Sequence, residues 1–362
     1  MTLQRSALHS LIADSGATLR ESGGWELPAT YTDVAAEYSA VTTGVGLHDA
    51  SYWGRLKATG EDGLDLLNRL STNKVIDLAP GDAAPTILTT DRGRIVDLIS
   101  VVNLGGYVML ITSPGTQQTV IDYLDKYTIM EDLTVEDITG ETTMLAVLGP
   151  DSRSALEAAA GVSLSGVSPY HTVSAHIAQQ QVQIINHPLG ELPCYHLILG
   201  QESAAAVWQH LLNAGIKPVG KEAYETVRVQ YAIPAHGREM GEPYNPLEAG
   251  LIGSIDFAKG CYIGQEVIAR LDTYQKVQKH LVRLRFSDGA QVEEGTLLSS
   301  AGQNVGTVTS VTVLPTTGSI IGLGYVRKSN ATVGNRLELA DAGDSWAEIE
   351  DIPLLFGPGQ DY

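Results

Sequence analysis

The strongest constraint on this chain is a set of short apolar stretches, each bounded by turn residues: "DLISVVNL" (97–104), "YVMLITS" (107–113), "TMLAVLG" (143–149), "QVQIINH" (181–187) and "YHLILG" (195–200). Runs of this length, rich in Val, Ile and Leu, read as strands. Between them the spacing becomes helical. In "QQTVIDYLDKY" Val120, Ile121, Leu124 and Tyr127 fall on one face, and in "AAAVWQHLLNAG" Val207, Trp208, Leu211 and Leu212 do so before Gly215 ends the helix. Strands beside helices, without the regular alternation of a doubly wound parallel sheet, predict α+β lobes. From His280 onward the character changes: "HLVRLRF", "TLLSS", "VGTVTSVTVL", "IIGLGYV" and "RLELA" are short strands separated by Gly, Pro, Asn and Asp, the pattern of a small β-barrel or sandwich. A domain boundary is expected near Gln278 to Leu281.

At 362 residues the chain exceeds what one core usually organises. No apolar run approaches the ~20 residues of a membrane helix, and the first residues are too broken in pattern for a signal peptide, so a cytoplasmic protein is expected. The two cysteines, Cys194 and Cys261, make no disulfide framework and fall short of the roughly four thiolates of an iron–sulfur cluster, so any cluster chemistry involves another protein. The formal charge of −19 argues against a phosphate-tracking nucleic-acid binder. One stretch runs the other way. "ARLDTYQKVQKHLVRLRF" carries Arg270, Lys276, Lys279, Arg283 and Arg285 against Asp272, which is either a solvated basic strand or a locally positive surface for an anionic ligand.

The sequence has no CxxC pair, HExxH, GxSxG elbow or Walker loop, and His171 and His176 lack partners at ligand spacing, so no metal site is expected. "KGCYIGQEVIAR" (259–270) holds one of the two cysteines. Gly260 and Gly264 permit tight turns, and Glu266, Val267, Ile268, Arg270 and Leu271 suit a short helix. Cys261 then precedes a helix N-terminus with Lys259 two residues away, the setting of a reactive thiolate; the other reading is a buried, inert cysteine. Asp97 interrupts an apolar strand after a Gly93 hairpin, as a ligand-binding acid or a turn cap. Glu191 lies in the loop "HPLGELPCY". Arg228, on an amphipathic helix with Ala223, Tyr224, Val227 and Tyr231, either grips a carboxylate bidentately or forms a surface ion pair with Glu225 or Glu222.

In order and nearly end to end, "GGWELPATYTD", "VGLHDASYWGRLKATGEDGLDLLNRLSTN", "AVLGP", "GKEAYETVRVQYAIPAHGREM", "NPLEAGL" and "VGTVTSVTVLPTTGSIIGLGYV" resemble the blocks of the glycine-cleavage T-protein (aminomethyltransferase) folate-binding superfamily, and "KGCYIGQE" resembles its YgfZ-type branch. The resemblance implies an α+β fold of two interleaved sheet-plus-helix lobes, residues 1–279, forming a folate-binding unit around a central tetrahydrofolate pocket. A small C-terminal β-barrel, residues 280–362, would complete a cloverleaf arrangement. It implies cofactor-binding roles for Asp97, Glu191 and Arg228, and catalytic roles for Cys261, Lys259 and Asp97. Asp97 matches the first of two consecutive aspartates of the T-protein. The second, catalytic one is Leu98 here if Gly93 is the anchor, and a shift of one residue would restore it. A tyrosine that lines the T-protein pocket matches Pro85, whereas the long "GGWELP" block is more like the T-protein than the YgfZ branch.

Two functions follow from the resemblance. The first is a tetrahydrofolate-binding, YgfZ-like protein that supports assembly or repair of iron–sulfur enzymes, with folate, including polyglutamylated forms, and cluster enzymes or assembly proteins as partners. The second is a folate-dependent one-carbon transferase, an aminomethyltransferase or demethylase. An interaction protein with a vestigial pocket is a third class.

Overall fold

The computed structural model describes residues 3–340 and 344–355. The chain forms two compact units: one gathers the residues up to Leu67 with Val75–Pro85 and Ile99–Val227, and the other gathers Asn68–Lys74, Thr86–Leu98 and the residues from Arg228 onward.

A six-stranded sheet organises the first unit, in the order Thr172–Ile177, Gln180–Asn186, Cys194–Gly200, Thr142–Leu148, Gly46–Asp49 and Lys217–Pro218. Neighbouring strands are antiparallel except the last pair. The five apolar stretches of the sequence all lie in strands, three of them in this sheet. Because side chains alternate across a strand, register sorts them into two faces. One face presents Leu47, Leu145, Val147, Ile184, Tyr195 and Leu197 to Leu156 of the Ser152–Ala160 helix and to Val207, Trp208 and Leu211 of the Ala204–Asn213 helix. The expected face of the second helix is thus the buried one, with Leu212 packed at its edge. The opposite face of the sheet carries His48, Ala146, His196 and Ile185 in one cross-strand row.

A five-stranded sheet runs in the order Ala83–Thr89, Ile95–Asn103, Val108–Thr112, Gly54–Thr59 and Thr134–Asp137. The Gln117–Tyr127 helix belongs to this unit and buries Val120 and Leu124, leaving Ile121 and Tyr127 half-buried. Arg55 in the Gly54–Thr59 strand is fully buried, and its guanidinium donates to the carbonyls of Ser51, Trp53, Thr139 and Thr142 and to the Thr142 hydroxyl.

The second unit contains a closed six-stranded barrel in the order Lys279–Phe286, Ile320–Arg327, Gln303–Val313, Leu297–Ser300, Arg336–Leu339 and Trp346–Asp351. Its first strand begins at Lys279, whereas the compact unit that holds it reaches back to Arg228. Val282, Leu284, Phe286, Val308, Val326 and Ile349 fill the interior. Leu281, Ile321, Leu323 and Tyr325 pack with Val229 and Ala232 in a second cluster. The Trp346–Asp351 strand, absent from the sequence reading, pairs with Lys279–Phe286. Its alternation of Ala347 and Ile349 with Glu348 and Glu350 hides the apolar signal among acids. Those acids also change the reading of the basic run: Arg285 lies 3.3 Å from Glu348 and 3.2 Å from Glu350, and Arg283 lies 3.6 Å from Glu350. Both arginines are therefore largely neutralised on the barrel wall and contribute little to a positive surface. Among the described residues no helix is long and apolar enough to cross a membrane.

Strand packing in the barrel depends on Gly322, where an added Cβ would lie 2.4 Å from the Ser310 carbonyl oxygen and 2.9 Å from the Phe286 ring. Gly322→Ala should therefore destabilise the protein by roughly 1–3 kcal/mol through overpacking. Gly106→Ala, where a Cβ meets nothing within 4 Å, should stay within about 0.5 kcal/mol of the parent. Urea unfolding midpoints of the two variants make the comparison.

Candidate functional site

In the second unit the "TTDRG" turn closes a hairpin, with the Gly93 amide donating to Thr90 O and the Thr90 amide to Arg94 O, each at 2.9 Å. Gly93 has φ +65°, a conformation that favours glycine. The strand that follows carries Asp97, which is fully buried. The "KGCYIGQE" segment lies against this hairpin. Thr89 Oγ1 donates to Ile263 O at 2.6 Å, and a Cβ on Gly264 would stand 2.5 Å from Thr90 O and 3.1 Å from Gly93 Cα. Gly264 also has φ +83° and caps the Gln265–Thr273 helix, so only glycine serves at that contact. Ile87 and Ile95 of the hairpin share one core with Tyr262 and Ile268, and Leu98 packs at its edge. Two stretches far apart in sequence, one bearing Asp97 and the other Cys261, are thereby brought into one unit.

Lys259 and Cys261 take opposite places in this loop. The Lys259 ammonium is buried and donates to the carbonyls of Asn68, Ser71 (2.7 Å) and Asn73 (2.9 Å). Burial pulls it down to about 8, while three carbonyl acceptors favour the charged form. Its side chain thus holds the loop to the 68–73 segment. Cys261 is exposed, whereas Cys194 is buried and its thiol is pushed far above the ordinary range by desolvation.

Arg228 ends in a buried ion pair, with Nη1 3.1 Å from Glu239 Oε2. Its guanidinium also donates to Ile233 O and, at 2.7 Å, to Ser310 Oγ. Glu239 accepts from Thr309 and Ser310 hydroxyls at 2.6 Å and from the Ala235 amide at 3.0 Å. Glu222, one of the two acids expected beside Arg228, engages Arg20. In the same segment His236 Nε2 donates to Val96 O at 3.1 Å, next to Asp97 in sequence.

Glu191 lies in the first unit, exposed on the hairpin that joins the Gln180–Asn186 and Cys194–Gly200 strands. A two-way bridge between Leu189 and Leu192 closes its tip, with Gly190 at φ +59°. The sequence reading missed the histidines of these strands and their neighbours. His187 and His196 stack with ring centroids 4.5 Å apart and planes 16° apart; Tyr170 meets His187 edge-on and Trp53 lies against His196. Burial pulls His187 down to about 4 and His196 well below its ordinary value, so both rings are neutral near pH 7. His48 stacks on Tyr224 at 4.3 Å. Its Nδ1 donates to Val219 O, which fixes Nε2 as the acceptor of the Tyr52 hydroxyl, whose oxygen accepts from Lys221. The only sequence signal was a histidine at period-two positions of apolar strands, and register is needed to gather them. Among the described residues no group of three or more His, Cys, Asp or Glu is placed to hold a metal ion.

Two family descriptions match the sequence: the GCVT N-terminal domain over residues 8–259 and the glycine cleavage T-protein C-terminal barrel domain over residues 279–350. An aminomethyltransferase of Thermosynechococcus vestitus is 30% identical over 354 residues, covering 98% of this chain and 95% of that one. A chloroplastic protein of Arabidopsis thaliana, provisionally named a transferase, is 31% identical over 348 residues, covering 95% and 78%. The crystal structure of the glycine cleavage system aminomethyltransferase T from Bartonella henselae superposes with a TM-score of 0.87 at 21% identity, covering 98% and 99%, a likeness of fold.

Two outcomes follow from the geometry. Glu239→Ala strands the Arg228 cation in the interior and should cost about 3–5 kcal/mol, much of which Arg228→Met in the same chain should restore; denaturant titration of the single and double variants measures this. Cys261 should react with iodoacetamide in the native protein while Cys194 reacts only on unfolding, as peptide mapping after timed alkylation will read out.

Proposed function

The chain belongs to the glycine cleavage T-protein family, and from that membership we propose that it binds tetrahydrofolate and acts as a one-carbon transferase of the aminomethyltransferase type. The observation that carries this reading is the likeness along nearly the whole chain, through both family domains, to relatives named aminomethyltransferases. The reduced pteridine ring presents N–H donors, and Glu191 and Asp97 offer acceptors.

Tetrahydrofolate would supply the nitrogens that accept the one-carbon unit. Asp97 is the residue to orient such a nitrogen and stabilise positive charge developing on it, because a carboxylate out of water acts through a lower effective dielectric. Glu191, exposed on a closed hairpin tip, accepts hydrogen bonds from the ring. Arg228 and Lys259 serve as positioning residues. The first fixes the 233–239 segment through Glu239, and the second fixes the loop that displays Cys261.

A second reading, a YgfZ-like accessory of iron–sulfur enzymes, is favoured by two observations. Leu98, which the resemblance with Gly93 as anchor sets at the place of a second carboxylate, packs against an apolar cluster, where it can neither accept nor transfer a proton. Cys261 is exposed on a loop that Lys259 holds in place.

Calorimetry with tetrahydrofolate is the direct test. Glu191→Ala should weaken affinity about tenfold or more, since a hydrogen bond to a charged acceptor contributes roughly 1.5–3 kcal/mol. No heat with the parent protein would overturn both readings. Transfer of labelled carbon from an aminomethyl donor to tetrahydrofolate, lost in Asp97→Asn, separates the transferase from the accessory, which would bind without turnover.

A further inference from the structure

The six-stranded sheet of the first unit ends at the Thr172–Ile177 strand, which pairs on one side only, with Gln180–Asn186. At its start the Thr172 amide turns to the open side and donates to Gly81 O at 2.8 Å. Backbone groups alternate along an antiparallel strand, so the amides and carbonyls of Ser174 and His176 point the same way, away from Gln180–Asn186. Among the described residues these four groups have no hydrogen-bond partner, and both residues are exposed. Unmatched backbone donors and acceptors in a row are a template for another strand.

The other sheet edges are guarded. Thr134–Asp137 carries Glu136 and Asp137, and the two-stranded sheet carries Arg20, Glu21 and Glu26. Lys217–Pro218 is two residues long and half proline, and Ala83–Thr89 contains Pro85 and is bridged at Leu88 by Ser71. The edge "TVSAHI" has no acid, lysine, arginine or proline. In a chain of formal charge −19, most surfaces of two copies repel one another, and a neutral edge is where they can meet.

We propose that the Thr172–Ile177 strand is a self-association edge, at which two copies of this chain pair antiparallel about a two-fold axis beside Ala175. The free groups fix that register. It sets Ser174 of each copy opposite His176 of the other, so that their four amides meet their four carbonyls and none is left over. An axis at Ser174 would instead set His176 against Thr172, where Gly81 already lies. On the apolar side Ala175 faces Ala175, and Val173, half-buried in one copy, faces Ile177. So short a seam makes a weak, reversible dimer. The inference stands apart from the folate reading, since it uses none of the residues assigned to the ligand.

The test is sedimentation velocity of the full chain under reducing conditions between about 1 and 200 µM, with hydrogen exchange of peptides spanning 172–177 at both ends of that range. The parent should pass from monomer to dimer, with two amides of the segment exchanging at least about tenfold more slowly in the dimer. Ser174→Pro removes an outward amide and with it two of the four bonds, and Ser174→Lys sets a cation beside the axis. Each should weaken the dimer about tenfold or more while melting like the parent at the low concentration. Gln209→Lys, the same change of charge at another exposed residue, should dimerise as the parent does. A parent that stays monomeric throughout overturns the inference and leaves the edge to a strand of a different protein. A dimer with 172–177 unprotected also overturns it, as does Ser174→Lys dimerising like the parent. Should Ser174→Pro not fold, Ser174→Lys decides alone.

Discussion

A guanidinium and a carboxylate withdrawn from water together, Arg228 and Glu239, set the terms for the second unit. Neither survives there alone, so the segment between them must fold to bring them to 3.1 Å, and the leftover lone pairs and protons must be met by neighbours. Ser310 and Thr309 of the barrel, the Ala235 amide and the Ile233 carbonyl supply those partners, and the Tyr325 hydroxyl donates to the Glu239 carbonyl at 2.7 Å. An irregular stretch with no ladder of its own is thereby fastened to a closed barrel, and the same stretch hands His236 to the backbone beside Asp97.

The pattern recurs. Arg55 in the first unit and Lys259 in the second are buried cations that meet carbonyl oxygens of turns and strand ends, where regular geometry leaves acceptors unmatched. A cation is suited to this because each of its several donors strengthens a bond to a carbonyl, and one side chain can gather oxygens from several residues. In a chain with a net charge of −19, three of its 23 lysines and arginines are thus spent on holding loops rather than on balancing the surface.

This explains what could be read in the sequence and what could not. Apolar periodicity revealed the strands Ile95–Asn103, Val108–Thr112, Thr142–Leu148, Gln180–Asn186 and Cys194–Gly200, the Ala204–Asn213 helix and the change to short strands at Lys279. It failed at Trp346–Asp351, where acids alternate with Ala347 and Ile349 and their partners Arg283 and Arg285 lie some sixty residues away. Gly264 and Gly93 were legible as turns, but that they press against each other was not, since contact across so many residues leaves no local trace. That Lys259 meets backbone carbonyls and Arg228 meets Glu239 was not legible, because a cation's sequence context is the same whether its partner is a ligand or the chain itself. The histidines at 48, 187 and 196 were invisible as a group because cross-strand register, not spacing along the chain, sets them on one face.

The contrast between Asp97 and Leu98 carries the functional argument furthest. Successive residues of a strand point to opposite sides, so the carboxylate and the alkyl side chain face different surroundings. Asp97 is withdrawn from solvent, and Leu98 fills the edge of the cluster formed by Ile87, Ile95, Tyr262 and Ile268. An acid in place of Leu98 would meet that apolar cluster and carry the cost of an unpaired buried charge. The residue is therefore suited to this core, which also includes Tyr262 from the cysteine-bearing loop. This strand segment thus holds one carboxylate, Asp97, out of water, while the loop that packs on its hairpin presents a thiol to solvent.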